Sequence, residues 1–354
     1  MKENINRSFG LDLIRALAVS LVLLAHFAKT VELLGFWGVE LFFALSGFLI
    51  GKILWISFSQ SEHWSFSHLK NFWLRRWWRT LPNYYLFLVI SLVYQYNSND
   101  LPSFEKLSDF FWFGQNLLSR YGGFYGVSWS LCIEEWFYLI FPLILFTLYK
   151  FGFKKHHSFI LTLLIFFIGS AVIRNWLILD GQGDSLRTIT FSRLDSIAYG
   201  VAASYITTVL EITYLKRLQA FIIGVLLLLS PVFIAYLSSS TFHDLRQSAL
   251  LLITVPIGAS SILPFLSTLA TPPKSLNFIT KGIQKLSLWS YSIYLSHIPV
   301  LFTIYFLLNN IRDNVYGNFL SKVIGLALTL IISGLIFKYF EIPITKKRPP
   351  NFIR

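Results

Sequence analysis

Apolar and polar positions along this chain alternate on a scale far longer than a strand. Apolar segments run at 9–28, 36–56, 80–96, 127–149, 158–179, 188–209, 218–237, 246–270, 286–309 and 318–340, with short polar connections between them. Each is close to the roughly 20 residues a helix needs to cross the hydrocarbon core of a bilayer. In that core the backbone polar groups are satisfied only within helices or closed barrels. The pattern predicts an all-α integral membrane protein, a bundle of about ten transmembrane helices. The sixth segment is the weakest, because Arg193 and Asp195 lie inside it. A secretory signal over residues 1–29 is disfavoured, since Arg15 interrupts it and no small-x-small cleavage site follows.

Composition agrees with this picture. Hydrophobic residues make up 55% of the 354, charged residues only 13%, and mean hydropathy is +0.61, whereas soluble domains carry roughly 25% charged residues. Ten spans occupy nearly the whole chain, giving one membrane domain over 1–345 and a short basic cytoplasmic tail over 346–354. The net charge of +13 does not describe a nucleic-acid groove, because Lys and Arg fall in short tracts between apolar segments rather than on one solvated face. Alternate connections hold 18 and 7 of the 30 basic residues, and 5 lie within spans. The richer set includes Lys70, Arg75, Arg76, Arg79, Lys150, Lys154, Lys155 and Lys346. Short cytoplasmic loops collect positive charge, so both termini are expected in the cytoplasm. The single cysteine, Cys132, has no partner for an internal disulfide or a zinc site.

The longest outer connection, about 97–126, combines Asp100, Glu105 and Asp109 with Phe110, Phe111, Trp112, Phe113, Tyr121, Phe124 and Tyr125. It is expected to lie at headgroup depth, a glycan-stacking platform being the alternative. No internal repeat or low-complexity tract is present.

An ionisable group inside a bilayer costs several kcal/mol, so each one is a functional candidate. Arg15 and His26 share the first span, eleven residues apart; at 100° and 1.5 Å per residue they project from one face about 16 Å apart. A guanidinium at the inner end can hold a phosphate-bearing donor, and an imidazole at the outer end can act as a general base; a topology anchor and an interfacial packing residue are the alternatives. Glu134 and Glu135 enter the fourth span from outside, at a depth expected to match His26, where one carboxylate could orient the imidazole or else pair with Arg174 or Arg193. The cluster Arg75, Arg76, Arg79 at the inner surface suits the phosphates of an anionic cofactor, or anionic lipid. Arg193 and Asp195, two residues apart, do not face each other on a helix and are expected to bond neighbouring helices. In the ninth span Ser290, Tyr294 and His297 share a face, with Tyr291 beside them, a polar stripe that lines a cavity or joins helices.

Taken together these strings resemble the bacterial membrane-bound acyltransferases called acyltransferase type three. The matching stretches are Leu11-Asp12-Leu13-Ile14-Arg15-Ala16 with His26, Gly38–Leu49, Arg75–Pro82, Trp129–Tyr138 with Pro142, Phe191–Asp195, Ser290–His297 and Glu341-Ile342-Pro343. They cover the chain end to end, and their order and spacing are specific although each alone is loose. Leu13-Ile14 stands where Gly-Leu is usual, and Trp136 where Gln is frequent.

The resemblance implies an O-acyltransferase of the bacterial inner (plasma) membrane that moves an acyl group, usually acetyl, from cytoplasmic acyl-CoA to a hydroxyl of an extracytoplasmic carbohydrate or glycolipid such as O-antigen of lipopolysaccharide. Acetyl-CoA would be a co-substrate, without a metal. Arg15, Arg76, Arg79, Ser46 and Gly47 match the family's donor-binding motifs, and His26 and Glu134 its catalytic ones. Glu135, Arg193, Asp195, Tyr291, Tyr294 and His297 are the expected supporting polar network. Some members append an outer hydrolase-like domain; since this sequence ends at Arg354, it is expected to act alone or with a separate partner. A transporter or flippase for lipid-linked sugars is the alternative of another class, disfavoured because no inverted repeat or broken-helix pattern is evident. A glycan polymerase is the nearer enzymatic alternative, disfavoured by an outer loop of only about 30 residues.

Overall fold

A computed structural model of the chain describes residues 8–28, 32–97, 101–120, 123–238, 245, 247–311 and 314–350. Lys2, Arg7, Lys29, Asp100, Tyr121, Arg246, Arg312 and Arg354 lie outside them. The helices are α1 Phe9–Phe27, α2 Glu32–Gln60, α3 Phe66–Asn97, α4 Phe104–Phe111, α5 Trp129–Lys150, α6 Lys155–Leu179, α7 Leu194–Val209, α8 Tyr214–Ser238, α9 Leu251–Ser261, α10 Leu263–Leu266, α11 Asn277–Leu307, α12 Val315–Ile336 and α13 Ile342–Thr345. Among the described residues the regular structure is entirely helical.

Seven helical stretches are long and apolar enough to cross a membrane: Phe9–Phe27, Leu33–Gln60, Gly126–Lys150, Lys155–Leu179, Tyr214–Ser238, Lys274–Leu307 and Val315–Thr345. The other three expected spans are helical in a different form. Residues 80–96 are the distal half of α3, whose proximal half carries Arg75, Arg76 and Arg79. Residues 246–270 give the two short helices α9 and α10. The segment 188–209 is helical only from Leu194. Ahead of it, the Thr190 and Phe191 amides donate to the Asn116 and Leu117 carbonyls at 2.6 and 3.4 Å, and the Ser192 hydroxyl donates to the Leu186 and Ile189 carbonyls. These bonds satisfy the segment's backbone groups without a helix.

The central helix is α2, packed most extensively against α7 and α1. At the α2–α7 crossing a Cβ on Gly47 would overlap the Ile197 carbonyl, and one on Gly200 would overlap that of Ala44. The backbones therefore meet where only glycine fits. Two fully buried ion pairs pin the start of α7. Arg193 donates to Glu40 of α2 at 2.5 Å, and Arg174 of α6 donates to Asp195 at 2.7 Å and to the Ser192 carbonyl at 2.6 Å. Arg193 and Asp195 thus bond neighbouring helices rather than each other. Buried Asp12 accepts from Ser287 at 2.7 Å and ties α1 to α11.

The loop expected at headgroup depth is partly core. Phe110, Phe113, Phe124 and Tyr125 are buried, with the ring of Tyr84 of α3 tilted against those of Phe113 and Tyr125 at 4.3 and 5.4 Å; Phe111 and Trp112 remain exposed. At the other end, α12 passes through a π-helical turn, Phe337–Glu341, into α13. The chain then lies along α3, where Asn71 and Arg75 donate to the Pro350 and Pro349 carbonyls at 3.0 and 2.6 Å.

Candidate active site

Five helices converge on a cavity of about 110 Å³, several times the roughly 10–15 Å³ that one water requires on the same measure. Each contributes side chains at helical spacing. On α5, Ser130, Glu134 and Tyr138 recur every four residues and so form one stripe. On α3, Arg76, Arg79 and Thr80 face the cavity, and α11 brings Ser290, Tyr291 and Tyr294. Arg15 of α1 and Ser46 of α2 complete the polar lining.

A hydrogen-bond chain orients this wall. The Tyr138 hydroxyl donates to Glu134 Oε2 at 3.2 Å. Its single proton is thereby committed, so Ser46 Oγ, 2.5 Å away, is the donor in their mutual bond. The Arg76 guanidinium lies 5.6 Å from the centre of the Tyr138 ring and 5.9 Å from that of Phe72. Tyr291 donates to the Thr80 carbonyl at 2.8 Å, fixing α11 to α3 beside Arg76. Glu135 is not part of the lining and is buried beside Thr80 and Arg76. The lining sets the guanidiniums of Arg15, Arg76 and Arg79 against the one carboxylate of Glu134, so its net charge is positive and it suits an anion carrying several oxygens. Among the described residues no group of three or more His, Cys, Asp or Glu is placed to hold a metal ion.

Glu134 occupies a different layer from the one expected. It stands with Arg15 in the lining, one turn along α5 from Ser130, whose hydroxyl meets Tyr294 Oη at 2.6 Å. His26 lies outside the cavity lining, with its ring 4.8 Å from that of His297. Its Nδ1 donates to the Val22 carbonyl at 2.9 Å. A carbonyl oxygen only accepts, so this bond places the proton on Nδ1 and makes Nε2 the nitrogen that carries the lone pair. The backbone of α1, not Glu134, sets the tautomer.

Gly47 also departs from expectation. It is absent from the lining because it faces α7 at the crossing; Ser46, one residue earlier, faces the cavity. Arg193 and Asp195 are likewise outside the lining, since their charges are consumed by Glu40 and Arg174. Sequence reasoning passed over Glu40 and Tyr138 as chemistry, and over the bridge in which Glu341 Oε2 accepts from Asn83 at 3.0 Å and Ser292 at 2.8 Å. A carboxylate within an apolar span was the available signal for Glu40. The i+4 spacing from Glu134 was the signal for Tyr138.

A family model described as an acyltransferase domain, of the acyltransferase type three group, matches residues 8–338. The peptidoglycan O-acetyltransferase OatA of Listeria monocytogenes is 28% identical over 98% of this chain. The O-acetyltransferase OatA of Staphylococcus aureus strain NCTC 8325 is 27% identical over 96% of it. The alignments cover 57% of each of these relatives. No solved structure matches.

Proposed function

The chain belongs to the acyltransferase type three family, and from that premise we propose that it is a membrane-embedded O-acyltransferase that takes an acyl group, acetyl in the first instance, from cytoplasmic acyl-CoA and delivers it to a hydroxyl of an envelope glycan outside. The observation that carries this reading is the cavity in which Arg15, Arg76 and Arg79 surround Glu134 and the Ser46–Tyr138 pair. Guanidiniums at its inner rim hold the donor's phosphates, and the thioester enters the bundle toward the Ser130–Tyr294 bond. His26 Nε2 takes the proton from the acceptor hydroxyl beyond it. The name of the Listeria relative favours peptidoglycan as the acceptor over the O-antigen that the sequence suggested.

Purified protein mixed with acetyl-CoA and envelope glycan tests the reading. Thiol release together with an ester on the glycan supports it. A flippase or polymerase would leave acetyl-CoA intact. In the donor site, Arg76→Ala and Arg79→Ala are each expected to weaken acyl-CoA binding by about 1.5–3 kcal/mol, the usual loss for one charge-assisted contact. Calorimetric titration reads this directly. Unchanged donor affinity with reduced turnover would remove both residues from the donor site.

We also propose that α3, α7 and the α9–α10 pair complete ten membrane segments with both termini inside. Short basic loops stay cytoplasmic, and Lys154 and Lys155 at the α5–α6 turn belong to the richer set of loops. Reporters at the C-terminus and near Lys155 are expected to respond as cytoplasmic and one near position 100 as external. A C-terminal reporter active only outside would overturn the arrangement.

A further inference from the structure

His297 is the polar group of this region that the reaction above leaves without work. It is fully buried, and its Nδ1 donates to the Tyr294 carbonyl at 2.7 Å. That bond leaves Nε2 as the ring's remaining polar atom, and Nε2 has no hydrogen-bond partner among the described residues. A buried polar atom left unpaired costs about 1–3 kcal/mol, and in a folded protein such a group calls for a reason. The adjoining side chain supplies one. The His26 ring stands 4.8 Å away with its plane at 65°, edge against face, and its own Nδ1 is likewise committed to a carbonyl. Two imidazoles with matching tautomers are therefore packed together, one buried and one exposed. Beside it on α11, Ser296 meets Ser333 of α12 at 2.9 Å and ties the helix that carries the buried ring to its neighbour.

We propose that His297 is a positioning residue for acyl transfer, a neutral imidazole that holds the His26 ring in place and stabilises the imidazolium formed there. This rests on the reading of His26 as the base. In the step concerned, the acceptor O–H bond breaks and its proton passes to His26 Nε2. The oxygen forms a bond to the acyl carbon, the carbon–sulfur bond breaks, and coenzyme A leaves as the thiolate, which the proton from His26 finally neutralises. The positive charge exists only on His26 and only while the proton resides there. His297 presents to it an electron-rich ring with an unused lone pair, the favourable contact that the ground state lacks. Preorganised groups of this kind lower the barrier because they meet charge where it develops. The carboxylate expected in this role, Glu134, instead accepts from Tyr138 in the cavity wall.

The test compares His297→Phe, which keeps a ring of similar size but no acceptor, with His297→Gln, which keeps an acceptor, in full-length protein with acetyl-CoA and glycan. His297→Phe is expected to lower kcat about 10-fold or more, as the loss of a hydrogen bond to a charged group does, with the KM for acetyl-CoA unchanged; His297→Gln is expected to recover much of the loss. In a His26→Ala background His297→Phe is expected to cause no further loss, because the residue acts through His26. Equal activity of the Phe and Gln variants, or a joint loss of kcat and donor binding, would overturn the proposal by showing packing alone. If instead His26→Ala itself retains activity, the base assignment fails. A dead His26→Ala enzyme beside a fully active His297→Phe enzyme overturns only the role of His297.

Discussion

His26→Ala is expected to reduce acyl transfer by about 100-fold or more, the usual contribution of general acid-base catalysis, while insertion and acyl-CoA binding stay near wild type. The separation of effects follows from position. The proposed donor partners, Arg15, Arg76 and Arg79, line the cavity, and His26 does not. Eleven residues of α1, about 16 Å of helix, lie between Arg15 and His26, so truncating the imidazole leaves the donor contacts intact. An alcohol is a poor nucleophile until a base takes its proton, and imidazole is suited to this near neutral pH. The hydrogen bond to Val22 already presents the correct nitrogen. Glu134→Gln is expected to act differently: it removes the cavity's carboxylate and unsettles the Tyr138–Ser46 chain, so donor-dependent parameters change as well. Transfer by an inserted His26→Ala protein at more than about a tenth of the wild-type rate would remove His26 from catalysis.

The largest effect on stability is expected from Glu40→Ala. Glu40 and Arg193 are both wholly buried and bonded at 2.5 Å, and removing one member of such a pair leaves an uncompensated charge, typically costing about 3–5 kcal/mol. Thermal unfolding in detergent, followed by tryptophan fluorescence, should show a markedly lower midpoint. Replacing both partners by apolar residues is often neutral, so the double variant Glu40→Leu with Arg193→Met is expected to recover most of the loss. A wild-type midpoint for Glu40→Ala would mean that the pair does not hold α7 to α2.

Much of this architecture is legible in the sequence because membrane helices announce themselves locally. Length and apolarity alone locate α1, α2, α5, α6, α8, α11 and α12, and the shared face of Ser290 and Tyr294 foretells the polar stripe that α11 brings to the cavity. What escapes the sequence depends on partners far away along the chain. Residues 188–193 read as the start of a span, yet the Thr190 and Phe191 amides bond to the carbonyls of Asn116 and Leu117, a pairing with no local signature. Glu40 disappears into the hydropathy of its span because its guanidinium partner is 153 positions away. Gly47 and Ser46 stand side by side in one motif, and only the crossing with α7 shows that one serves packing and the other the cavity. Depth was the other quantity out of reach. Counting residues from the outer surface put Glu134 level with His26, whereas Glu134 lines the cavity with Arg15 and His26 does not.

The central claim is that one helical bundle joins a donor on one side of the membrane to an acceptor on the other. Proteoliposomes with uniformly oriented protein, labelled acetyl-CoA outside on the side of the Arg76 and Arg79 rim and glycan sealed within, test it most directly. The account predicts thiol released outside, labelled ester on the enclosed glycan, and neither ester nor label inside with His26→Ala. Label appearing only on glycan added to the donor side, or enclosed glycan left unesterified while acetyl-CoA is consumed, would contradict it.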